Sequence, residues 1–581
     1  MKRTIAALIA GSLLLLGSAF AQAPADTYVY MTFGQPVSMD PARAYDTGSG
    51  GILENVYQTL MAYDGEAIDT FVPSLATGYS VSSDGLHWTF DLRPNVKFHS
   101  GNTMTCKDVA WSFKYGAVTA SPEGAPAYLM GNIWLGTGVD GSDPAAYLAE
   151  VSWDMIDNIV TCPDGADGLK ATVNLVNATP ALIPILTYTA FSIVDSEFAI
   201  AGGAWDGTEA TWESWVGRDL TAEFLHKNVS GTGAYKLVQW NDDSVVADAF
   251  ADYWGGAPAL AHVVYRYVDE QSTRILAMQQ GDADRITLNE NAAVAQVEGA
   301  AGVSVLRDPS WVPASVTSVF FNFAVNTENN EDVGSGKLDG SGIPSDFFSD
   351  VNVRRGFAQL FDQQAFVEQV YQGQGTVITM GLPPSFLGYN PDVAVRTLDL
   401  EAAEQYFRAA FDGQVWEKGF EFTALYNSGN TIRQTALELI KDNLEFINPK
   451  FKMNVRGLPW ADYLSRTAEQ RAPMFALGWA ADYADPSNFI NTFYDDDGYY
   501  SARTSISVPE IQAIIDQADT SVDPDVRGFL YRGVGPLHYD QAPLIAVPIQ
   551  SAFLVVRSNL GGVYYNTMYS DKFLWKDLSK N

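Results

Sequence analysis

Cysteine, histidine and basic side chains are all scarce in this 581-residue chain, and each scarcity narrows what it does. Only Cys106 and Cys162 are present, too few for a small disulfide-stapled scaffold, and an oxidising compartment would let them pair. Two separate buried thiols is an equal reading, because sequence spacing says nothing of geometry. Five histidines, His87, His99, His226, His262 and His538, are scattered without HExxH or other ligand spacing, so zinc chemistry has no support. Lysine and arginine number 35 against 69 acids, a net charge of −34. Nucleic acid and anionic membrane surfaces are therefore poor partners, whereas cationic or zwitterionic ligands are weakly favoured. Beyond the first residues no apolar run reaches spanning length.

Catalytic signatures are missing as well. In "GSGKL" Glu331 stands where a phosphate loop needs its first glycine, and Leu338 replaces Ser/Thr. "DTGSGG" lacks the first glycine of a nucleophile elbow around Ser49. "YDDDGYY" (494–500) fails the alternation of a calcium loop and reads as a solvated turn. Paired carboxylates are spatial and invisible here, but nothing recommends a catalyst, a cofactor or a metal.

What is present begins with a secretory leader. Lys2 and Arg3 precede an apolar stretch (5–16) and then Ala19-Phe20-Ala21, which suits cleavage after Ala21 or Ala23. No cysteine stands near, so lipidation there is excluded, and the mature chain is expected free in the periplasm. The remainder mixes period-2 and period-3.6 patterns. Val319, Phe321, Phe323 and Val325 alternate as in a half-buried strand. "LDLEAAEQYFRAAF" puts Leu400, Ala403, Tyr406, Phe407 and Ala410 on one helical face behind an Asp399 N-cap. "TIRQTALELIKDNLEFI" does the same with Ile432, Ala436, Leu439, Ile440 and Ile447. The polar stretch 326–346 reads as a long surface loop.

One stretch poses a question. In "GWAADYADPSNF" (478–489) a carboxylate, Asp482, follows directly on the apolar run 474–481, and a buried unpaired charge costs several kcal/mol. Either the strand stops there and Asp482 opens a solvated turn among Asp485, Pro486 and Asn488, or the carboxylate waits for a cation carried by a ligand.

Several segments together resemble the family 5 extracytoplasmic solute-binding proteins of ABC transporters, the dipeptide and oligopeptide receptors. They are "VSMDPARAYD" (37–46), "LHWTFDLRPNVKFHSGNTMTCKDVAWSF" (86–113), "GTGAYKLVQW" (231–240), "DVNVRRGFAQLFD" (350–362, departing from the pattern at Asn352 and Gly356) and "GWAADY" (478–483). The resemblance spans nearly the whole mature chain. It implies an α/β, two-lobed periplasmic-binding-protein fold of class II, cluster C type, with a hinge-closing cleft and an extra subdomain in lobe one. The implied division is a signal peptide, 1–23; lobe one, 24–310, with the subdomain at about 50–195; lobe two, 311–548; and a C-terminal return to lobe one, 549–581.

The same resemblance implies function. The receptor would capture di- or oligopeptides between the lobes, act as a monomer and deliver them to membrane permease subunits. Asp482 would receive the ligand's α-ammonium, the backbone of Gly478, Trp479 and Ala480 would pair with its main chain, and Trp479 would offer an apolar wall. Tyr128, Trp460, Gln35, Val37 and Gln550 fall at cleft positions. Arg433, with Arg466 and Arg471 as alternatives, would take the carboxylate, since a guanidinium fork engages both oxygens. An oligosaccharide receptor of the same family and a secreted hydrolase are the rival readings.

Overall fold

The computed structural model describes residues 23–581 except 123, 125–128, 289 and 290. The leader up to residue 22, and Tyr128, lie outside the described residues.

Two sheets organise the chain. The first has seven strands, in the order Val303–Leu306, Leu554–Arg557, Arg285–Ile286, Thr27–Thr32, His262–Tyr267, Ser244–Ala249 and Tyr235–Trp240. Thr27–Thr32 runs parallel to both of its neighbours and is wholly buried, as a strand covered on both faces should be. The second sheet has five strands, Phe451–Leu458, Phe420–Asn427, Met474–Ala480, Ser315–Phe321 and Leu544–Ala546. The chain passes from the first sheet to the second between 306 and 315 and returns between 546 and 554. Its tail closes on its beginning, where the Lys580 ammonium meets the Asp284 carboxylate at 2.8 Å and the Pro24 carbonyl at 2.8 Å. The chain is thus α/β and two-lobed.

A four-stranded sheet, Ala76–Val81, His87–Leu92, Lys170–Asn174 and Val160–Thr161, sits within the N-terminal half. His87–Leu92 carries Trp88 and Phe90 inward. It leads into the helix Cys106–Thr119, whose start is fixed by Asp108 accepting from the Thr105 amide at 2.9 Å. Cys106 and Cys162 are joined as a disulfide, with Cα atoms 5.8 Å apart, which decides between the two thiol readings. The helices anticipated at Leu400–Ala409 and Thr431–Ile447 form, and Asp399 and Asn430 cap them by accepting from Ala402 and Arg433 amides.

Two expectations need correction. Ser315–Phe321 is not half-buried: Val319 and Phe321 pack into one apolar cluster while Val316 and Phe320 pack into another on the opposite face. Strict alternation cannot report a strand covered on both sides. The stretch 326–346 is pinned rather than merely draped on the surface. Asp332 is fully buried and bridges Arg456 and Arg466, while Val333 and Ile343 enter the core. Among the described residues no helix is long and apolar enough to cross a membrane.

Candidate functional site

The strand Met474–Ala480 is buried through Leu477 and opens progressively at Gly478, Trp479 and Ala480. It pairs along its length with Ser315–Phe321, but its partner on the other side, Phe420–Asn427, reaches only Met474 and Phe475. Hydroxyls partly cover the edge that remains: Tyr463 donates to the Ala476 carbonyl at 2.7 Å and Tyr500 to the Gly478 carbonyl at 2.9 Å. Backbone groups two residues apart face the same way, so the exposed Ala480 continues this edge where the covering stops.

Asp482 follows in the bend and is not solvated. It is only 8% exposed, which overturns the open-turn reading. Asn488, in the first turn of the helix Ser487–Tyr494, holds it: the Asn488 side-chain oxygen accepts from the Asp482 amide at 3.1 Å and from the Trp479 indole at 3.0 Å. One buried amide thus sets both the aspartate and the tryptophan. The Trp479 ring lies 5.2 Å from that of Tyr499.

The carboxylate itself is met from the other side of the molecule. Tyr45, which lies just before the helix Thr47–Val56, donates its hydroxyl to Asp482 Oδ1 at 2.9 Å across 437 residues of sequence. The Tyr45 ring stands edge-on to Tyr188 at 6.3 Å. Burial pushes the Asp482 pKa up to about 6, against the opposing pull of the Tyr45 and Asn488 hydrogen bonds. Among the described residues no cation lies within ion-pair distance of Asp482.

Arg433 is the complementary case. Its guanidinium lies beside Gly478, so close that a Cβ there would stand 3.2 Å from Nη2. Nη1 donates to Asn427 at 2.7 Å, Nε is buried without a partner, and no carboxylate pairs with it among the described residues. Burial lowers its pKa, while the Tyr463 and Tyr500 hydroxyls nearby work the other way. Arg466 and Arg471 are differently occupied. Arg466 bridges Glu331 and Asp332, and Arg471 donates to the Asn329 carbonyl.

Beside this site a cavity of about 550 Å³ separates residues of the N-terminal half, Leu129, Ile133 and Ala178 among them, from Tyr483, Ser487, Asp495 and Tyr499. Trp460 is 52% exposed, with its ring 6.1 Å from that of Tyr463. Gln550 pairs with Gly375 and lines a different cavity, of about 490 Å³, with Phe33 and Gly34. The Gln35 side chain donates to the Asp242 carbonyl at 3.0 Å, and Val37 is 43% exposed. Neither is brought to Asp482. Tyr45, Tyr188 and Asn488 are the residues that sequence reasoning did not single out. Tyr45, Asn488 and their partners Asp482 and Trp479 all stand inside motifs already quoted, but nothing in those motifs joins Tyr45 to Asp482.

A profile described as "Bacterial extracellular solute-binding proteins, family 5 Middle" matches residues 70–501. The chain belongs to this family. Relatives of the family 5 protein include the heme-binding protein A of Haemophilus influenzae, 25% identical over 558 residues, covering 94% of this chain and 91% of the relative. The dipeptide-binding protein of Escherichia coli is 24% identical over 562 residues, covering 93% and 92%. Among solved structures, a periplasmic binding protein DppA from Helicobacter pylori in complex with the peptide STSA superposes with a TM-score of 0.68 at 21% identity, covering 97% of this chain and 99% of that one. The family 5 protein therefore shares the fold of periplasmic binding proteins.

Proposed function

We propose that this family 5 protein is the peptide receptor of an ABC importer, closing its lobes over a short peptide. The observation that carries the reading is Asp482: a buried carboxylate, reached from the opposite half of the chain by Tyr45, with no cation paired to it among the described residues. A peptide's α-ammonium supplies the missing charge, and Arg433, without a carboxylate, accepts the other terminus. Their anchor residues Gly478 and Asp482 are four positions apart, at most about 14 Å of extended chain, which suits a ligand of a few residues. Ala480 and its neighbours supply main-chain pairing, Trp479 an apolar wall, and Trp460 the rim. Gln35, Val37 and Gln550, which lie away from Asp482, have no part in this contact.

In this reading lobe one comprises residues 24–310 and 549–581, with a subdomain at about 50–195, and lobe two comprises 311–548. Two distinct sheets and two chain crossings support that division. The protein is released to the periplasm by cleavage of its leader, works as a monomer without catalysing a reaction, and passes its ligand to permease subunits whose ATPase supplies the energy. Heme- and dipeptide-binding relatives exist at similar identity. The pair of unmatched charges favours the zwitterion.

Native mass spectrometry of the mature protein as purified, followed by calorimetry with di- to pentapeptides, tests this. The expected result is retained or added peptide mass and micromolar or tighter binding. Retained haem or oligosaccharide with no peptide affinity would overturn the reading, as would turnover of the peptide.

A further inference from the structure

A third cavity, of about 350 Å³, lies in the N-terminal half of the chain. It shares a wall with the cleft: Thr187 and Thr189, which flank Tyr188, line it together with Tyr63. Its remaining walls include the rings of Tyr253, Trp254 and Tyr569. The one carboxyl among its lining residues is Glu54, in the last turn of Thr47–Val56.

Glu54 is only partly satisfied. Oε1 accepts from the Ser570 amide at 2.7 Å, whereas Oε2 is approached by the Asp571 amide only at 3.5 Å. Among the described residues it forms no ion pair. Of the charged groups around it, Lys572 attracts it without forming an ion pair and donates to the Thr567 carbonyl at 3.3 Å, Lys576, which also lines the cavity, pairs with Asp577 at 2.6 Å, and Asp571 pairs with Arg285 at 2.5 Å. The hydroxyls of Tyr63, Tyr188, Tyr564 and Tyr569 all feel the Glu54 charge, so the carboxyl sits in a phenolic surround. Burial, with repulsion from Asp571, outweighs the two amide bonds and Lys572 and raises its pKa to about 8.

We propose that this cavity holds an organic cation, an alkylammonium or alkylguanidinium group whose charge meets Glu54 among tyrosine and tryptophan rings. A carboxylate with spare acceptor capacity and aromatic rings around it is the pairing that recognises such cations, through charge on one side and ring quadrupoles on the other. Trp254 already serves one cation in this way, with the Arg93 guanidinium 3.9 Å from its ring centroid. The volume lies at the lower end of small-molecule sites, about 300 to 1,000 Å³, and matches a short chain carrying one charged head. The cation is either the basic side chain of a peptide in the neighbouring cleft, which rests on the function proposed above, or a free amine.

Calorimetry on the mature protein with n-butylammonium, n-butylguanidinium and n-butanol as probes tests the cavity. Both cations are expected to bind and butanol not, with at least tenfold weakening in Glu54→Gln. Because Glu54 is protonated near pH 7, cation binding releases about one proton, read from titrations in two buffers of different ionisation enthalpy. Glu54→Asp should weaken binding and keep the proton release, which separates a charge role from a disturbed 570–571 turn. With Ala-Arg and Ala-Met as ligands, a loss confined to Ala-Arg in Glu54→Gln assigns the cation to a peptide side chain. A loss confined to the butyl cations assigns it to a free amine. Indifference of every cation, free or peptide-borne, to Glu54→Gln overturns the proposal. The cleft reading fails separately, if Ala-Met binding is absent or unaffected by Asp482→Asn.

Discussion

Asp482 and Asp485 occupy the same bend, three residues apart and both buried, at 8% and 5% exposure, yet they are partnered in opposite ways. Asp485 is closed by the Arg527 guanidinium through two bonds, at 2.5 and 2.7 Å. Among the described residues Asp482 receives neutral donors alone, Tyr45 and Asn488. Position in the chain and degree of burial do not distinguish the two carboxylates. The presence of an internal cation does.

The largest test of this contrast is on stability. Asp485→Ala should strand the buried Arg527 charge and cost about 3 to 5 kcal/mol, measured by urea denaturation. Asp482→Asn should do the reverse, stabilising the ligand-free protein at pH 8 by on the order of 2 kcal/mol, because it removes a buried charge that folding disfavours. If both variants are equally damaging, the two aspartates are alike and the contrast is lost.

Next in size is peptide affinity. Asp482→Asn should lose about 1.5 to 3 kcal/mol, the worth of a hydrogen bond to a charged group, seen by calorimetry as a roughly ten- to hundredfold weaker dissociation constant. Asp485→Ala, wherever it remains folded, should bind peptide with much less change.

The pH dependence sharpens the comparison. The folded-state pKa of Asp482 lies near 6, above the ordinary aspartate value near 3.8, so the native state binds the extra proton between those values. Its contribution to stability is therefore full below about pH 4 and declines as pH rises to 6. Peptide affinity moves the other way, strengthening as the carboxylate forms through pH 6. Asp40 and Asp519, also raised to about 6 by burial, share the window, so the difference between wild type and Asp482→Asn isolates the site. An identical pH slope in the two proteins would sink the assignment.

Smallest is Tyr45→Phe. Losing one donor to the carboxylate should raise the Asp482 pKa further and shift the midpoint of the affinity profile to higher pH. The affinity change at pH 8 should be about 1 kcal/mol.

Local sequence made the frame legible. Asp399 announced its helix because capping is a contact between near neighbours, and the aspartate behind "GWAA" was conspicuous because an acid seldom closes an apolar run. What remained hidden depends on partners far away in sequence. No pattern around Tyr45 reveals Asp482 at 437 residues' distance, and none in 326–346 reveals that Asp332 would be buried against Arg456 and Arg466. The two-sided burial of Ser315–Phe321 escaped for a related reason: alternation describes one face of a strand, and this strand has a core on each. The pairing of Cys106 with Cys162 likewise needed Cα positions that spacing does not supply.

The clasp of Lys580 on Pro24 and Asp284 holds the first described residues and the tail together beside the seven-stranded sheet. A tether pulled at the two ends would load that sheet through Leu554–Arg557 and the tail, while the five-stranded sheet hung outside the line of force like a pendant. Fluorophores placed at positions 24 and 580 would for the same reason stay at a fixed separation if the lobes close. A reporter of ligand capture has to sit on the pendant half.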